Sequence, residues 1–514
     1  STSAGYVRDT LMRQPLIFPV ARMRKIRRCK AGTAIFYSGV ANLLWMRPSY
    51  LGKILLHWCD SCHTPVLSPR CGCGSEARAV PVTPPGDARP AFQADIDLIN
   101  RIFEDHFGSP LIPPGHLVLL NKVPETDRME EIVIGGAVVG SIRYLPKPEL
   151  WEPIPRPEAA ACMKPKKRYV MVEAGAEESI REKGASVLAP GLLFIDPSVR
   201  KGDEIFILSS RGECIGVGRA KVDAETAQSM ERGAIVRTRR NVRSECRPGE
   251  ASWDDAVRAN EHVITRAEEE SIRFVKNVSG KHNLPVTVSY SGGKDSLATL
   301  LVVLKALGKV PLLFADTGFE LPETYQNVDE VAETFGLACV RADGNQKFWE
   351  VFEKQGPPAV NFRWCCRVAK LGPVGETIGG TWGECLSFIG QRKYESLRRK
   401  NSPRVWRNNH IPNQLSAAPI QNWTALHVWL YIFRENAPYN PLYERGLDRI
   451  GCFMCPSSDI AVLRLIQDRY PDLWESWRVR LEEWQERCDL PDEWLHGERW
   501  RMKEACVDED DSYY

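Results

Sequence analysis

The chain changes hydrophobic period several times along its length. Over residues 92–107 apolar positions recur at helical spacing. Over 117–142 they collect in short runs, Ile132-Val133-Ile134 and Ala137-Val138-Val139 among them, separated by turns, which predicts strands. A small β module follows: a strand at Tyr169-Val170-Met171-Val172, a helix over 177–183, and apolar runs ending at Leu208, Ala220 and Val236. Residues 252–278 predict one long helix of alternating charge. Residues 286–290, 297–307 and 310–314 then read strand, helix, strand, the order of a parallel sheet. A helical tail over 460–500 puts Trp477, Leu481 and Trp484 on one face, as core packing requires. The Pro/Gly-rich stretch 81–90, with Pro84-Pro85-Gly86-Asp87, reads as a turn or linker, and the proline-rich stretch 149–167 as a linker.

Composition narrows the class. A chain of 514 residues has room for three or more domains, and 43% hydrophobic with 26% charged content is that of a soluble globular protein. The net charge of +2 confines any nucleic-acid binding to local patches. Arg22, Arg24, Lys25, Arg27, Arg28 and Lys30 form one such patch, and Lys164, Lys166, Lys167 and Arg168 another. A solvated face is the plainer reading of both. No run of about twenty apolar residues and no signal-like start is present, so a cytoplasmic location without a membrane partner is expected. Sixteen cysteines in a reducing compartment point to metals rather than disulfides.

Two cysteine sets stand out. Cys59-Asp60-Ser61-Cys62 facing Cys71-Gly72-Cys73 brings four thiolates within tetrahedral reach of one zinc. Four protein ligands leave no open position, so a structural role is expected. His57 and His63 are spare candidates, expected at the surface. Farther on, Cys365-Cys366 and Cys452-Phe453-Met454-Cys455 supply four more thiols. Adjacent cysteines crowd a single ion but suit a cubane, and four is the ligand count of a [4Fe–4S] cluster. A zinc site remains the competing reading.

Between the two sets, Ser291-Gly292-Gly293-Lys294-Asp295-Ser296 joins a predicted strand to a helix. Such a turn aims backbone N–H groups at an anion. Its glycines clear room for a phosphate, Lys294 adds a point charge, and Ser296 is placed to cap the helix. Asp316-Thr317-Gly318 ends the next strand, at the edge where open parallel sheets hold ligands.

The SGGKDS spelling resembles the PP-loop superfamily, whose members split ATP between the α- and β-phosphates. Residues 283–460 as a whole resemble the phosphoadenosine-phosphosulfate and adenosine-phosphosulfate reductase family. The matches run through Asp316-Thr317-Gly318-Phe319, Arg363-Trp364-Cys365-Cys366 with Lys370, Gly390-Gln391-Arg392, Asn422-Trp423-Thr424, and Asn440-Pro441-Leu442-Tyr443 to Cys452 and Cys455. The β module resembles a PUA domain in its Ala189-Pro190-Gly191 entry, its Lys201-Gly202-Asp203 turn and its Ile215-Gly216-Val217-Gly218-Arg219-Ala220 strand. That resemblance implies a structured RNA partner, tRNA foremost or rRNA, with Arg237, Arg239, Arg240 and Arg243 near its phosphates.

Together the modules resemble an archaeal-type fusion with zinc-ribbon and PUA domains. The expected fold is multidomain α/β. A basic N-terminal segment and zinc ribbon occupy 1–80, an α+β region 81–165, a PUA-like β-barrel 166–243 and a connecting helix 244–282. A doubly wound PP-loop domain takes 283–460, and helices with an acidic tail take 461–514.

The resemblance also marks a departure. The reductases carry a nucleophilic cysteine in a Glu-Cys-Gly-Leu-His segment, whereas here Cys506 and Cys488 lie in other contexts. Cys385 is a further candidate thiol, with a buried strand position as the alternative. Three readings result. One is sulfur transfer to RNA: Ser291 to Ser296 and Lys294 hold ATP, Asp295 or Asp316 holds Mg²⁺ or the ribose, and Thr317 and Gly318 line the nucleotide. In it Lys294, Asp295 and Arg392 act in catalysis, and a sulfur donor displaces AMP. The second is a sulfonucleotide reductase using PAPS or APS and an electron donor. The third is a non-catalytic RNA-binding sensor.

Overall fold

The computed structural model describes residues 53–503. The basic run from Arg22 to Lys30, Cys506 and the acidic stretch 508–511 lie outside the described residues.

The first cysteine set sits on a small antiparallel sheet of Leu56–Cys59 (β1), Thr64–Val66 (β2) and Arg78–Val80 (β3), in the order β2-β1-β3. Arg89–Pro90 (β4), Leu119–Lys122 (β5), Met129–Ile134 (β6), Ala137–Leu145 (β7) and Leu150–Pro155 (β8) form a five-stranded antiparallel sheet in sequence order. Helix Gln93–Phe107 (α1) buries Ile99, Phe103 and Phe107 against that sheet.

Of the two proline-rich stretches, 81–90 begins as the turn its composition allows, and 149–167 is not a linker. Residues 149–167 contain β8, and 81–90 end in β4, the two edges of the sheet. Edge strands tolerate Pro90, Pro153 and Pro155 because one row of their backbone groups needs no ladder partner.

The β module comprises Tyr169–Val172 (β9), Ala174–Lys183 (α2), Val187–Leu188 (β10), Leu192–Ile195 (β11), Glu204–Leu208 (β12), Cys214–Ala220 (β13), Ala224–Ser229 (α3) and Ala234–Asn241 (β14). Its sheet runs β10-β14-β13-β12-β9-β11, with β9 and β12 parallel. Val170, Ile180, Ile205, Ile207 and Val236 share its core.

The long helix Trp253–Lys281 (α4) starts with a capping box at Ser252 and Asp255. Rather than only connecting modules, it packs into the largest core through Ala256, Ile264 and Val275. It also receives the cysteine module. Asn260 Nδ2 donates to the Pro65 carbonyl at 2.9 Å, and the Gly72 N–H donates to the Ala259 carbonyl at 2.8 Å.

Val286–Ser289 (β15), Lys294–Leu307 (α5), Leu312–Asp316 (β16), Pro322–Phe335 (α6) and Cys339–Asp343 (β17) build one half of the last sheet. After Asn345–Gln355 (α7) and Gly372–Thr381 (α8), Cys385–Ile389 (β18), Val405–Asn408 (β19) and Ile411–Ala417 (β20) complete it. The order is β17-β16-β15-β18-β20-β19, parallel except at the β19 edge. Strand order reverses between β15 and β18, so their C-terminal ends open a crevice suited to a ligand.

Ala425–Arg434 (α9), Ile460–Arg469 (α10) and Pro471–Arg487 (α11) follow. In α11 Trp477 and Leu481 are buried with Trp484 partly packed beside them, as the spacing predicted. The antiparallel β4–β8 sheet is joined to this region by Lys122, which pairs with Asp459 at 2.7 Å and Asp448 at 3.3 Å, and by Arg128 Nη1, which donates to the Gly446 carbonyl at 3.1 Å. Arg89, Arg128, Asp95 and Glu130 form a buried ion network, and the carboxylate of Asp127 accepts the Ile460 and Ala461 N–H groups at the start of α10. Among the described residues no helix is long and apolar enough to cross a membrane.

Candidate active site and metal centres

The loop from Ser291 to Ser296 leaves β15 at the crevice. Gly292 has φ +71°, and a Cβ there would stand 2.8 Å from Thr324 Cγ2, so both conformation and space require glycine. Gly293 is the N-cap of α5. Ser296 does not cap that helix as expected. Its hydroxyl donates to the Gly293 carbonyl at 2.8 Å and accepts the Ser291 N–H at 3.2 Å, closing the loop on itself. The Lys294 N–H donates to Tyr443 Oη at 2.9 Å.

Lys294, Asp295 and Arg392 come together. Asp295 accepts from Lys294 Nζ at 2.9 Å and from Arg392 Nε at 2.6 Å. Burial alone would raise the Asp295 carboxyl, but Arg392 and Lys294 hold it down to about 2. Arg392 follows β18, so its pairing with the loop after β15 spans the switch point. Gly390 makes that approach possible, because a Cβ there would lie 2.4 Å from the Asp295 carbonyl carbon.

Asp87 completes the set. Its carboxylate accepts from Arg392 Nη1 at 2.8 Å and from the Ala425 N–H at the start of α9 at 2.6 Å. The sequence offered Asp87 only as the end of a Pro-Pro-Gly turn. Neither burial nor this long-range pairing leaves a local signal. With Asp87 on one side and Asp295 on the other, the Arg392 side chain is 4% exposed.

Asp316, Thr317 and Gly318 end β16, the neighbouring strand. Asp316 Oδ1 accepts from Tyr325 Oη at 2.9 Å and from the Gly318 N–H at 3.1 Å. Thr317 Oγ1 donates to Glu320 Oε1 at 2.8 Å and lies 3.6 Å from Cys452 Sγ. Cys452 of the second cysteine set therefore reaches the same sheet edge. The backbone repeats the contact, since the Phe453 N–H donates to the Phe319 carbonyl at 2.8 Å.

Cys365 and Cys366 stand on a short helical stretch, and the Cys455 N–H donates to the Cys452 carbonyl at 3.2 Å in a turn. Arg363 Nη2 donates to Cys366 Sγ at 3.6 Å. A hydrogen bond from Cys365, then the charge of Arg363, hold the Cys366 thiol down to about 5, while burial pushes Cys452 up to about 11. Lys370 favours the thiolate at both. Arginine and lysine facing several thiols is a setting that tolerates the negative charge of a thiolate-bound centre. Cys385 is fully buried at the start of β18, as the structural alternative required, and Cys488 is exposed at the end of α11.

The first set differs in geometry. The sulfurs of Cys59, Cys62, Cys71 and Cys73 all lie within 4.8 Å of one another, a cage for a single ion. Cys59 and Cys73 are 3.7 Å apart, and Cys62 and Cys71 3.9 Å. Hydrogen bonds from Ser75 hold the Cys73 thiol down to about 6, whereas burial holds Cys71 up to about 11. His57 and His63 are outside this group, and His57 is buried rather than at the surface.

Residues 285–458 match the phosphoadenosine phosphosulfate reductase domain, and residues 168–242 match the PUA domain. The chain is 39% identical over 469 residues to the Uncharacterized protein MJ0066 of Methanocaldococcus jannaschii, covering 88% of this chain and 98% of that one. It is 25% identical over 183 residues to the adenosine 5'-phosphosulfate reductase of Bacillus cereus, covering 33% of this chain and 72% of that one. A solved phosphoadenylyl-sulfate (PAPS) reductase from Candida auris, in its phosphate complex, is 22% identical. It covers 38% of this chain and 94% of that one, with a TM-score of 0.30.

Proposed function

The chain belongs to the family of the Methanocaldococcus jannaschii protein MJ0066 and carries a phosphoadenosine phosphosulfate reductase domain beside a PUA domain, and from that premise we propose an ATP-dependent sulfurtransferase that thiolates a base of RNA. One observation carries the reading: the Ser291–Ser296 loop and the second cysteine set share one edge of the parallel sheet, with Thr317 beside Cys452. A phosphate-binding turn next to several thiols suits chemistry that joins a nucleotide to sulfur.

In this reading the loop N–H groups and Lys294 hold the β- and γ-phosphates, and Asp295 or Asp316 takes Mg²⁺ or the ribose. A base carbonyl oxygen attacks the α-phosphorus while the bond to pyrophosphate breaks and the base loses its N–H proton. Lys294 offsets the charge that grows on the phosphates. Arg392, held by Asp295 and Asp87, fixes the field at the α-phosphate. A hydrosulfide-level donor then adds to the activated carbon, and the C–O bond breaks with AMP leaving. The base becomes a thiocarbonyl with no net redox change. The PUA domain accounts for the arrival of the RNA, tRNA being the expected substrate.

Cys365, Cys366, Cys452 and Cys455 would hold a [4Fe–4S] cluster, with Arg363 and Lys370 offsetting its thiolates. When bound, such a cluster supplies a place for sulfur or for electrons. Cys59, Cys62, Cys71 and Cys73 would hold zinc in a closed, structural site.

The test is direct. Anaerobically purified, metal-loaded protein is incubated with ATP, sulfide and bulk tRNA, and AMP, pyrophosphate and thiolated nucleosides are measured. RNA-dependent AMP with a thiolated nucleoside supports the reading. A second reading, sulfonucleotide reduction, draws on the likeness to the Bacillus cereus adenosine 5'-phosphosulfate reductase. Sulfite released from APS or PAPS with a thiol donor, without RNA-dependent AMP, would put that reading first.

A further inference from the structure

A cavity of about 480 Å³ lies away from the nucleotide crevice, where β7 and β8 of the antiparallel sheet meet β13 and β14 of the PUA domain. Its lining is Arg143, Ile154, Arg219, Arg237, Thr238 and Arg239. Four guanidinium groups from two modules thus face one space within the usual size of a ligand site, about 300–1,000 Å³.

The local charge is unbalanced. Glu152 accepts from Arg143 and, at 3.3 Å, from Arg219 Nη2; Glu204 accepts from Arg219 Nε at 3.2 Å and from Arg239. Two carboxylates therefore pair with three of the four arginines, and Arg237 is left without one. Glu204, buried at 3% exposure, holds Arg219 and Arg239, and both guanidiniums keep edges in solvent. Arg219 and Arg239 remain 44% and 42% exposed. Arg237 forms no ion pair among the described residues and is exposed on β14. Thr238 is turned elsewhere, its hydroxyl donating to the Ala185 carbonyl at 2.6 Å.

We propose that this four-arginine cavity holds backbone phosphates of the RNA substrate, making the junction of the two β modules part of the RNA path. The inference rests on the RNA reading above and deepens it. Arginine forks match phosphate oxygens bidentately, and nothing in the lining offers an aromatic slot or a carboxylate to read a base edge. The contact is accordingly with the backbone and independent of sequence. The cavity draws Arg143 from outside the PUA domain, so the RNA footprint extends beyond that domain onto the antiparallel sheet.

The test uses the full chain, metal-loaded, and bulk tRNA labelled for fluorescence anisotropy, with Kd measured over a salt series. Arg237→Gln and Arg237→Gln/Arg239→Gln are compared with wild type and with Arg266→Gln, a change on the solvent face of α4. The cavity variants should weaken binding several-fold and lower the salt slope by about one per arginine removed, for any RNA sequence. Arg266→Gln should do neither. If wild type binds tRNA and both cavity variants keep its Kd and slope, the inference is overturned while the RNA reading stands. If wild type binds no RNA, both fall together. In a separate arm, inorganic phosphate is titrated by calorimetry into wild type and Arg237→Gln/Arg239→Gln. Micromolar binding that the double variant loses and that tRNA does not displace would make the cavity a small-anion site and overturn the inference.

Discussion

Asp87 and Arg392 lie 305 residues apart in sequence and 2.8 Å apart in the fold. The second carboxylate oxygen of Asp87 holds the Ala425 N–H, so the side chain is fixed at both ends. Arg392 in turn holds Asp295 of the Ser291–Ser296 loop. The turn between the first cysteine module and the antiparallel sheet thereby sets where a buried guanidinium stands beside the crevice between β15 and β18.

Replacing Asp87 by Ala leaves that buried guanidinium with one partner and strands the Ala425 N–H. Truncating one side of a buried ion pair costs about 3–5 kcal/mol. Asp87 is 15% exposed, which places the loss near the low end. Urea unfolding should report it, and RNA-dependent AMP release should fall at temperatures where the variant is still folded. Unchanged stability and unchanged AMP release would remove Asp87 from the site.

Gly292→Ala and Gly390→Ala test the two close approaches at the switch point. The first puts a Cβ on a left-handed residue and against Thr324, the second drives one into the Asp295 backbone. Each should weaken ATP-analogue binding at least about tenfold, the equivalent of about 1.4 kcal/mol. Gly380→Ala makes the contrast, because nothing lies within 4 Å of its added Cβ on α8. That variant should bind normally and gain some stability. Equal binding by all three would separate the loop from the nucleotide.

The strand–loop–helix at 286–307 and the Cys59/Cys62/Cys71/Cys73 cage were legible because each is a local pattern: glycines where backbone must approach, thiols at ligand spacing, apolar residues at period. Tyr169–Val172 and the buried face of α11 followed from period alone. Asp87, Glu320 and Arg363 were not legible as partners, because their roles are made by tertiary pairing. The prolines near 90 and 153 misled for a physical reason. Proline breaks a central strand but suits an edge, and edge status depends on the whole sheet. The helix over 252–278 looked like a connector because its charges alternate, yet its apolar residues belong to the largest core.

The two cysteine sets should separate by metal. Cys59→Ala opens the four-sulfur cage and should lose zinc while iron content and visible absorption stay. Cys365→Ala should lose iron and colour while zinc stays. Metal analysis of anaerobically prepared protein with an absorption spectrum reads both. Retained iron in Cys365→Ala would exclude that thiol as a ligand, and joint loss of both metals from either variant would make the sets one folding unit.

His427 gives the fold a pH dependence of known sign. It sits in the first turn of α9, where its Nδ1 lies 2.8 Å from Thr424 Oγ1 and accepts the Thr424 N–H, while the Thr424 hydroxyl accepts the His427 N–H at 3.2 Å. Burial, assisted by the charge of Arg392 and opposed by that of Asp87, holds the ring down to about 4, against 6.5 for an ordinary histidine. The folded state therefore keeps His427 neutral where the unfolded chain would bind a proton. Its contribution is fully present above about pH 6.5 and is lost as pH falls toward 4, by about 1.4 kcal/mol per pH unit and about 3 kcal/mol in all. Protonation at Nδ1 also removes the acceptor that the Thr424 N–H uses. Because thiolate–metal bonds also weaken in acid, the measurement is a comparison. Urea-unfolding free energies of wild type and His427→Gln are taken from pH 7.5 to 5. The wild type should lose the steeper share between pH 6.5 and 5, and the difference between the two should shrink with falling pH. Parallel curves would mean that the ring titrates normally in the fold and that the Thr424–His427 cap does not depend on its neutrality.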